Sequence, residues 1–216
     1  MNYLRFIRII GTMHVSPQSV EDVRKAILEL KPNAVAVELD PDRYLSLISG
    51  KKMGIFDVRS GGEILGYLLA KVEEKAGEIF GTPPGKEMLT AIETARKLGI
   101  PVYFVDEHIS MTMERILQEI PPREKFLLTA DLVFSLLGFG YEIDFSSAIH
   151  EFKTKYPVLY RVLVEDRNKV IAKNLVKVVE NLRSIGIKKP LLLAVLGWGH
   201  EKGVERILNS WPSLRL

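Results

Sequence analysis

Two of the four histidines stand in the same frame, Gly-x-x-His, and each frame follows a run of six mostly apolar residues: RFIRII before GTMH at 11–14, and LLLAVL before GWGH at 197–200. One copy of so short a pattern carries little weight, but two copies at two strand exits are a signal. Gly11 and Gly197 lack a Cβ, so they read as the turns by which the chain leaves a buried strand, with His14 and His200 projecting beyond them. After His14 come Ser16, a helix cap, and Pro17, a first helical residue, with Glu21 and Asp22 close behind. The positive end of that helix disfavours imidazolium. His14 is therefore expected to be neutral, the form that binds a metal or accepts a proton.

The other two strand exits also carry ionisable groups: VELD ends the second run with Glu38 and Asp40, and VDEH ends the third with Asp106, Glu107 and His108. In parallel sheets ligands bind beyond the carboxyl ends of the strands, so His14, Glu38, Asp40, Asp106, Glu107, His108 and His200 are expected to share one site. Cysteine is absent, which removes disulfides, thiolate nucleophiles and Cys-ligated zinc. Two histidines with one or more carboxylates suit a divalent metal that keeps open positions for water or substrate. A carboxylate ending a run as apolar as AVAV is costly unless a site uses it, so Glu38 reads as functional rather than as a partner for Arg43. Asp40 reads as the cap of a helix starting at Pro41, His108 as a loop residue, and Trp198 as a wall of the pocket.

Four short apolar runs, Arg5 to Ile10, Ala34 to Leu39, Val102 to Val105 and Leu191 to Leu196, alternate with helical patterns. That order predicts an α/β fold with a largely parallel central sheet flanked by helices, and a helical insertion of about residues 107–188 between strands three and four. Residues 1–216 are read as a single domain. Val20, Val23, Ile27 and Leu30 form one face of the first helix. Two helices are expected between Gly61 and Leu98, broken at GTPPG, the second ending at Gly99. MTMERILQEI is another, stopped by Pro121 and Pro122, and a continuous helix is expected from about Val158 to Ser184. The segment from Arg123 to Gly140 is apolar on most sides of a helix, as a pocket cover or a homodimer contact would be.

The 30 basic and 27 acidic residues are intermixed and give a net charge of only +3, so no nucleic acid partner is expected. FLLTADLVFSLLGFG is too short to span a bilayer and contains Asp131, and no secretory signal precedes the first strand. A soluble cytoplasmic protein without a membrane anchor is expected. No Gly-rich phosphate loop follows strand one, which disfavours nucleotide binding.

GTMHVSPQSVEDVRKAILELKPNAVAVELDPDRY resembles the opening of the TraB/PrgY (GumN-related) family, to which the Tiki proteins are related. PGKEMLTAIETARKLGIPVYFVDEHISMTMERI is similar to its middle block, DRNKVIAKNL to its late helix, and VLGWGHEKGVERIL to its closing motif. The resemblance implies a metal-dependent hydrolase-like α/β fold, in a family where some members shut down peptide pheromone signals and Tiki proteins behave as metal-dependent proteases. By motif it places the signature site on His14, Glu38 and His200. Arg43 matches the arginine after the VEL block, Asp106 the acid ending strand three, and Arg167 with Asn168 the late-helix pair. Where relatives commonly carry Arg after the strand-three Asp, this chain has Glu107 and His108, which leaves an anion contact there to Arg115. Relatives often continue into membrane-spanning segments, whereas this chain stops soon after GWGH.

Residues and resemblance together predict hydrolysis of a peptide or amide bond with Mn, Co or Zn as cofactor. His14 and His200 would hold the ion, Glu38 would be third ligand or general base, and Asp106 would orient a histidine or complete the coordination shell. Arg43 or Arg167 would bind a substrate carboxylate. The competing reading is a binding or regulatory protein that holds a peptide or small ligand in the same pocket without turnover.

Overall fold

The computed structural model describes residues 2–12, 17–49, 85–136 and 145–211. Four strands, β1 (Ile7–Thr12), β2 (Ala34–Val37), β3 (Val102–Phe104) and β4 (Leu192–Gly197), form one parallel sheet in the order β1-β4-β2-β3. β2 and β4 are the inner strands and are buried along their whole length, so they carry unbroken apolar runs.

The alternation within AVAV decides what packs where. Val35 and Val37, with Leu193 and Val195, face α1 (Pro17–Leu30) and α3 (Lys86–Lys97), where Val23, Ile27, Met88 and Ile92 fill the layer. Ala34 and Ala36, with Ala194, face the other way and leave room for Ile171, Leu175 and Leu182 of α8 (Arg167–Ser184) and Val204 and Leu208 of α9 (Trp198–Ser210). α2 (Pro41–Ser49) follows β2 directly.

Between β3 and β4 the described residues are mainly helical, as expected: α4 (Ile109–Glu119), α5 (Pro122–Leu136), α6 (Phe145–Lys155), α7 (Pro157–Tyr160), a π-helical turn (Arg161–Asp166) and α8. These helices have a core of their own, built from Ile116, Ile120, Leu128, Tyr156, Leu159 and Val162. Among the described residues no helix is long and apolar enough to cross a membrane.

Several boundaries differ from expectation. β1 starts later than Arg5, because Tyr3–Arg5 forms a 3-10 turn capped by the Asn2 side chain, and it runs on through Gly11 to Thr12. Gly11 is therefore a strand residue, paired in register with Leu196, and not a turn. Its missing Cβ serves close packing instead: a Cβ there would lie 2.2 Å from the Glu201 Oε2 of α9. Gly197 is extended, at φ −61 and ψ 142, and caps α9. Leu30 is exposed rather than on the buried face of α1. The helix expected to run unbroken from Val158 is interrupted by the π-turn, so that α8 proper begins at Arg167. On α5, Leu128 is buried but Phe126 is 73% exposed, so that stretch is not covered on all sides. The helix expected after Gly61 and residues 81–84 of the GTPPG break lie outside the described residues, while Gly85 caps α3 at φ 78.

Candidate functional site

β2 runs out at Val37, and the Glu38 amide donates to the Val195 carbonyl at 3.1 Å, which fixes this residue against β4. Its side chain is only 4% exposed. Oε2 accepts a hydrogen bond from the Gly197 amide at 2.7 Å, and Oε1 accepts one from Arg167 Nη2 at 2.7 Å. The same Oε1 lies 3.3 Å from His200 Nε2. The second histidine frame thus meets Glu38 twice, through the backbone of its glycine and the ring of its histidine.

Asp106 follows β3 and holds the other side of Arg167: Oδ2 accepts from Nη2 at 2.6 Å and Oδ1 from Nε at 3.1 Å. Arg167 Nη1 donates to the Leu163 carbonyl at 3.3 Å, so four of its five N–H groups are committed inside the protein. Burial lowers the pKa of this guanidinium, but the charges of Glu38 and Asp106 and the hydrogen bonds to both more than offset that, and the net shift is upward. Arg167 stays a permanent cation.

His200 lies in the first turn of α9 and is buried. Its Nδ1 faces Asn168 Oδ1 at 2.8 Å, which places a proton on Nδ1 and turns Nε2 toward Glu38. Asn168, also buried, sits against Gly203 one turn along α9; a Cβ at Gly203 would lie 2.2 Å from the amide nitrogen. Glycine at 203 therefore lets α8 and α9 approach closely enough for Asn168 to reach the ring.

Among the described residues this cluster carries two carboxylates against one guanidinium. A neutral His200 leaves it with one net negative charge in a buried setting, which favours a proton or a metal ion between Nε2 and Oε1. Two ligand atoms about 2.1 Å from a tetrahedral ion are separated by roughly 3.3–3.4 Å, so His200 and Glu38 fit neighbouring positions on one divalent metal. The Asn168 contact is the outer support that a metal-bound imidazole needs. Asp106 is differently placed, since both of its oxygens are taken up by Arg167.

A second group lies two residues further along the same two exits. Asp40 Oδ1 accepts from the amides of Asp42 at 2.9 Å and Arg43 at 3.2 Å, which makes it the cap of α2. His108 Nδ1 is 3.8 Å from that oxygen and 3.4 Å from Asp42 Oδ2. One ligand atom from each of Asp40, Asp42 and His108 falls within 4.8 Å of the others, the metal-ligand grouping found among the described residues. The His108 and Asp42 side chains are 53% and 71% exposed. Asp40 is the expected cap and His108 stands with it at the strand exits as expected; Asp42 is the member of this grouping that the sequence did not single out. Its spacing of two from Asp40 was the available signal.

Arg43 stands in the first turn of α2. Arg115, on α4, pairs with Glu107 and lies 3.6 Å from Asp166, rather than beside Glu38 or Asp106. Trp198 opens α9 and is partly exposed. His14 lies outside the described residues.

Comparison with known sequences adds a lineage to this geometry. The TraB/PrgY/gumN family model matches residues 4–147. The chain belongs to that family. An uncharacterized protein of Methanocaldococcus jannaschii is 36% identical to this TraB-family chain over 219 residues, covering 94% of the chain and 53% of the relative. TraB domain-containing proteins of Mus musculus and Homo sapiens are each 25% identical over 234 residues, covering 93% of the chain and 62% of their own length. The chain thus spans between half and two thirds of these relatives. The family match takes in Glu38 and Asp106, while Arg167, Asn168 and His200 lie in the part reached by the longer pairwise matches.

Proposed function

We propose that this TraB-family chain is a metal-dependent hydrolase whose preferred reaction is cleavage of a peptide or amide bond. The observation that carries the reading is the buried pair of His200 Nε2 and Glu38 Oε1, 3.3 Å apart, in a cluster whose described residues set two carboxylates against one guanidinium. His200 and Glu38 would hold the ion, and His14, from the matching frame, would supply the second imidazole. A bound Mn, Co or Zn ion lowers the pKa of a coordinated water and polarises a substrate carbonyl.

The protein's own groups do the rest. Asn168 holds His200 in the tautomer that leaves Nε2 available. The Gly197 amide and Arg167 fix both oxygens of Glu38, so its carboxylate keeps one orientation whether it serves as ligand or as general base. Asp106 keeps Arg167 in place. Arg43 or Arg167 would meet a substrate carboxylate.

The test is Glu38→Gln, which nearly preserves shape and removes charge and basicity. Metal content of protein purified without an affinity tag and cleavage of a peptide library are measured together. A general base predicts retained metal and lost cleavage; a ligand predicts that both weaken. Affinity should also fall as the pH drops through the histidine range near ~6.5, since protons compete for the imidazoles. Wild-type protein that binds none of Mn²⁺, Co²⁺ or Zn²⁺ at neutral pH contradicts the reading. Protein that binds metal and peptide without turnover favours the binding-protein alternative.

A further inference from the structure

The π-turn at Arg161–Asp166 immediately precedes Arg167 and Asn168, the two residues that reach Asp106, Glu38 and His200. A π-turn holds one more residue per turn than an α-helix and is rarely stable unsupported. Relaxing it would rotate everything that follows by about 100° relative to α7. Arg167 and Asn168 would then leave their partners, so something must hold the turn.

α4 holds it at both ends. Arg115 and Glu119 stand four apart on this helix and therefore on one face. Glu119 pairs with Arg161, the first residue of the turn. Arg115 lies 3.6 Å from Asp166, the last. The charges are crosswise, acid to base at one end and base to acid at the other. Arg115 is in turn tied to the buried Glu107, which also accepts from Thr112 Oγ1 at 2.6 Å. The buried Nε–H of Arg115 makes no hydrogen bond, so the guanidinium is held by its two outer nitrogens, stretched between two carboxylates. Glu107 is the chain neighbour of Asp106, and Asp166 that of Arg167. The contacts Asp106–Arg167, Arg115–Asp166 and Arg115–Glu107 thus close a ring through two peptide links.

We propose that α4 is a two-point clasp on the π-turn and that Arg115 and Glu119 are positioning residues for Arg167 and Asn168. The inference rests on the reading of Glu38 and His200 as the site. It gives Arg115 a role inside the protein rather than on a substrate, and it accounts for Glu107 directly after Asp106.

The experiment follows the Arg167 Nε–H and the His200 ring nitrogens by ¹⁵N NMR in the full chain. Arg115→Gln should speed exchange of the Arg167 Nε–H about tenfold and shift the His200 signals. Glu119→Arg and Arg161→Glu, at a more exposed pair, should each speed it about fivefold, and the double exchange of the two charges should restore it to within about twofold of wild type. Folded single variants with wild-type exchange and unshifted His200 signals overturn the clasp, as does a double variant that fails to restore them. Because these signals are read without metal, a wild-type protein that binds no metal would remove the hydrolase reading and leave the outcome for the clasp intact.

Discussion

Glu38 and Asp106 leave β2 and β3 and bury their carboxylates; two residues later on the same strands Asp40 is buried as well, but His108 and the neighbouring Asp42 meet solvent. Both groups set two acidic residues beside a histidine, if His200 is counted with the first and Asp42 with the second. The inner group lies under α8 and α9, and Arg167, the Gly197 amide and His200 together engage its carboxylates. In the outer group Asp40 meets the amides that start α2, while His108 and Asp42 are open to water. The difference is one of cover rather than residue type. A carboxylate removed from water must find a cation or N–H donors, and those partners fix its geometry. A carboxylate at the surface keeps its freedom and is preorganised for little.

The most forceful way to break this contrast is Arg167→Gln. It leaves Glu38 and Asp106, whose side chains are 4% and 5% exposed, without their cation. Urea denaturation at neutral pH should show a loss of about 3–5 kcal/mol, the cost of unpairing a buried charge. A loss below about 1 kcal/mol would make the inner group energetically like a surface pair.

Gly203→Ala tests the outer support of His200. The new methyl group must displace the Asn168 amide, at an overpacking cost of about 1–3 kcal/mol, against a gain of about 1 kcal/mol in helix propensity. The net change in stability should be small, with the effect concentrated on the ring: the His200 ¹⁵Nδ1 signal should lose the signature of a donated hydrogen bond. An unchanged ring signal would mean that Asn168 does not set the tautomer.

Asp131 on α5 lies between the extremes, half exposed yet bonded to Lys155 and Tyr156. Burial raises its pKa, but the hydrogen bonds from Lys155 and Tyr156 and the charge of Lys155 outweigh that and hold it below the usual carboxylate range. Burial, followed by the bond to Asp131 and its charge, pushes the Tyr156 hydroxyl upward. Asp131 therefore adds stability above pH 3.8, lost as the pH falls through its lowered value. Tyr156 adds stability below pH 10.0, lost as the pH rises through its raised value. Asp131→Asn should cost about 1 kcal/mol or less at neutral pH, and the difference should shrink in thermal melts below pH 3.8 as the pH falls through the lowered carboxyl value. A difference that persists there would assign the effect to packing.

The same contrast explains what the sequence could show. AVAV and LLLAVL reveal inner strands because burial on both faces removes polar residues, and a glutamate directly after AVAV is conspicuous for the same reason. RFIRII is ambiguous, since its arginines interrupt the run, and β1 slid two residues toward Gly11. The role of Gly11 depends on Glu201, far away in the chain, and that of Gly203 on Asn168, so neither follows from local spacing. Apolar residues continue on both sides of the π-turn, from Leu159 to Leu175, so local composition does not mark it; long-range ion pairs hold it. Arg167 was visible as a motif residue, but its partners, Glu38 and Asp106, lie 129 and 61 positions away.

The central claim is that the inner group and not the outer one holds a functional metal. Calorimetric titration of tag-free protein with Co²⁺ at pH 7.5, comparing His200→Ala with His108→Ala, tests it directly. The account predicts that wild type and His108→Ala bind the ion with the same affinity and that His200→Ala loses tight binding, because a site with few ligands has lost one of them. Tight binding that survives His200→Ala and disappears with His108→Ala would contradict it and move the metal to Asp40, Asp42 and His108.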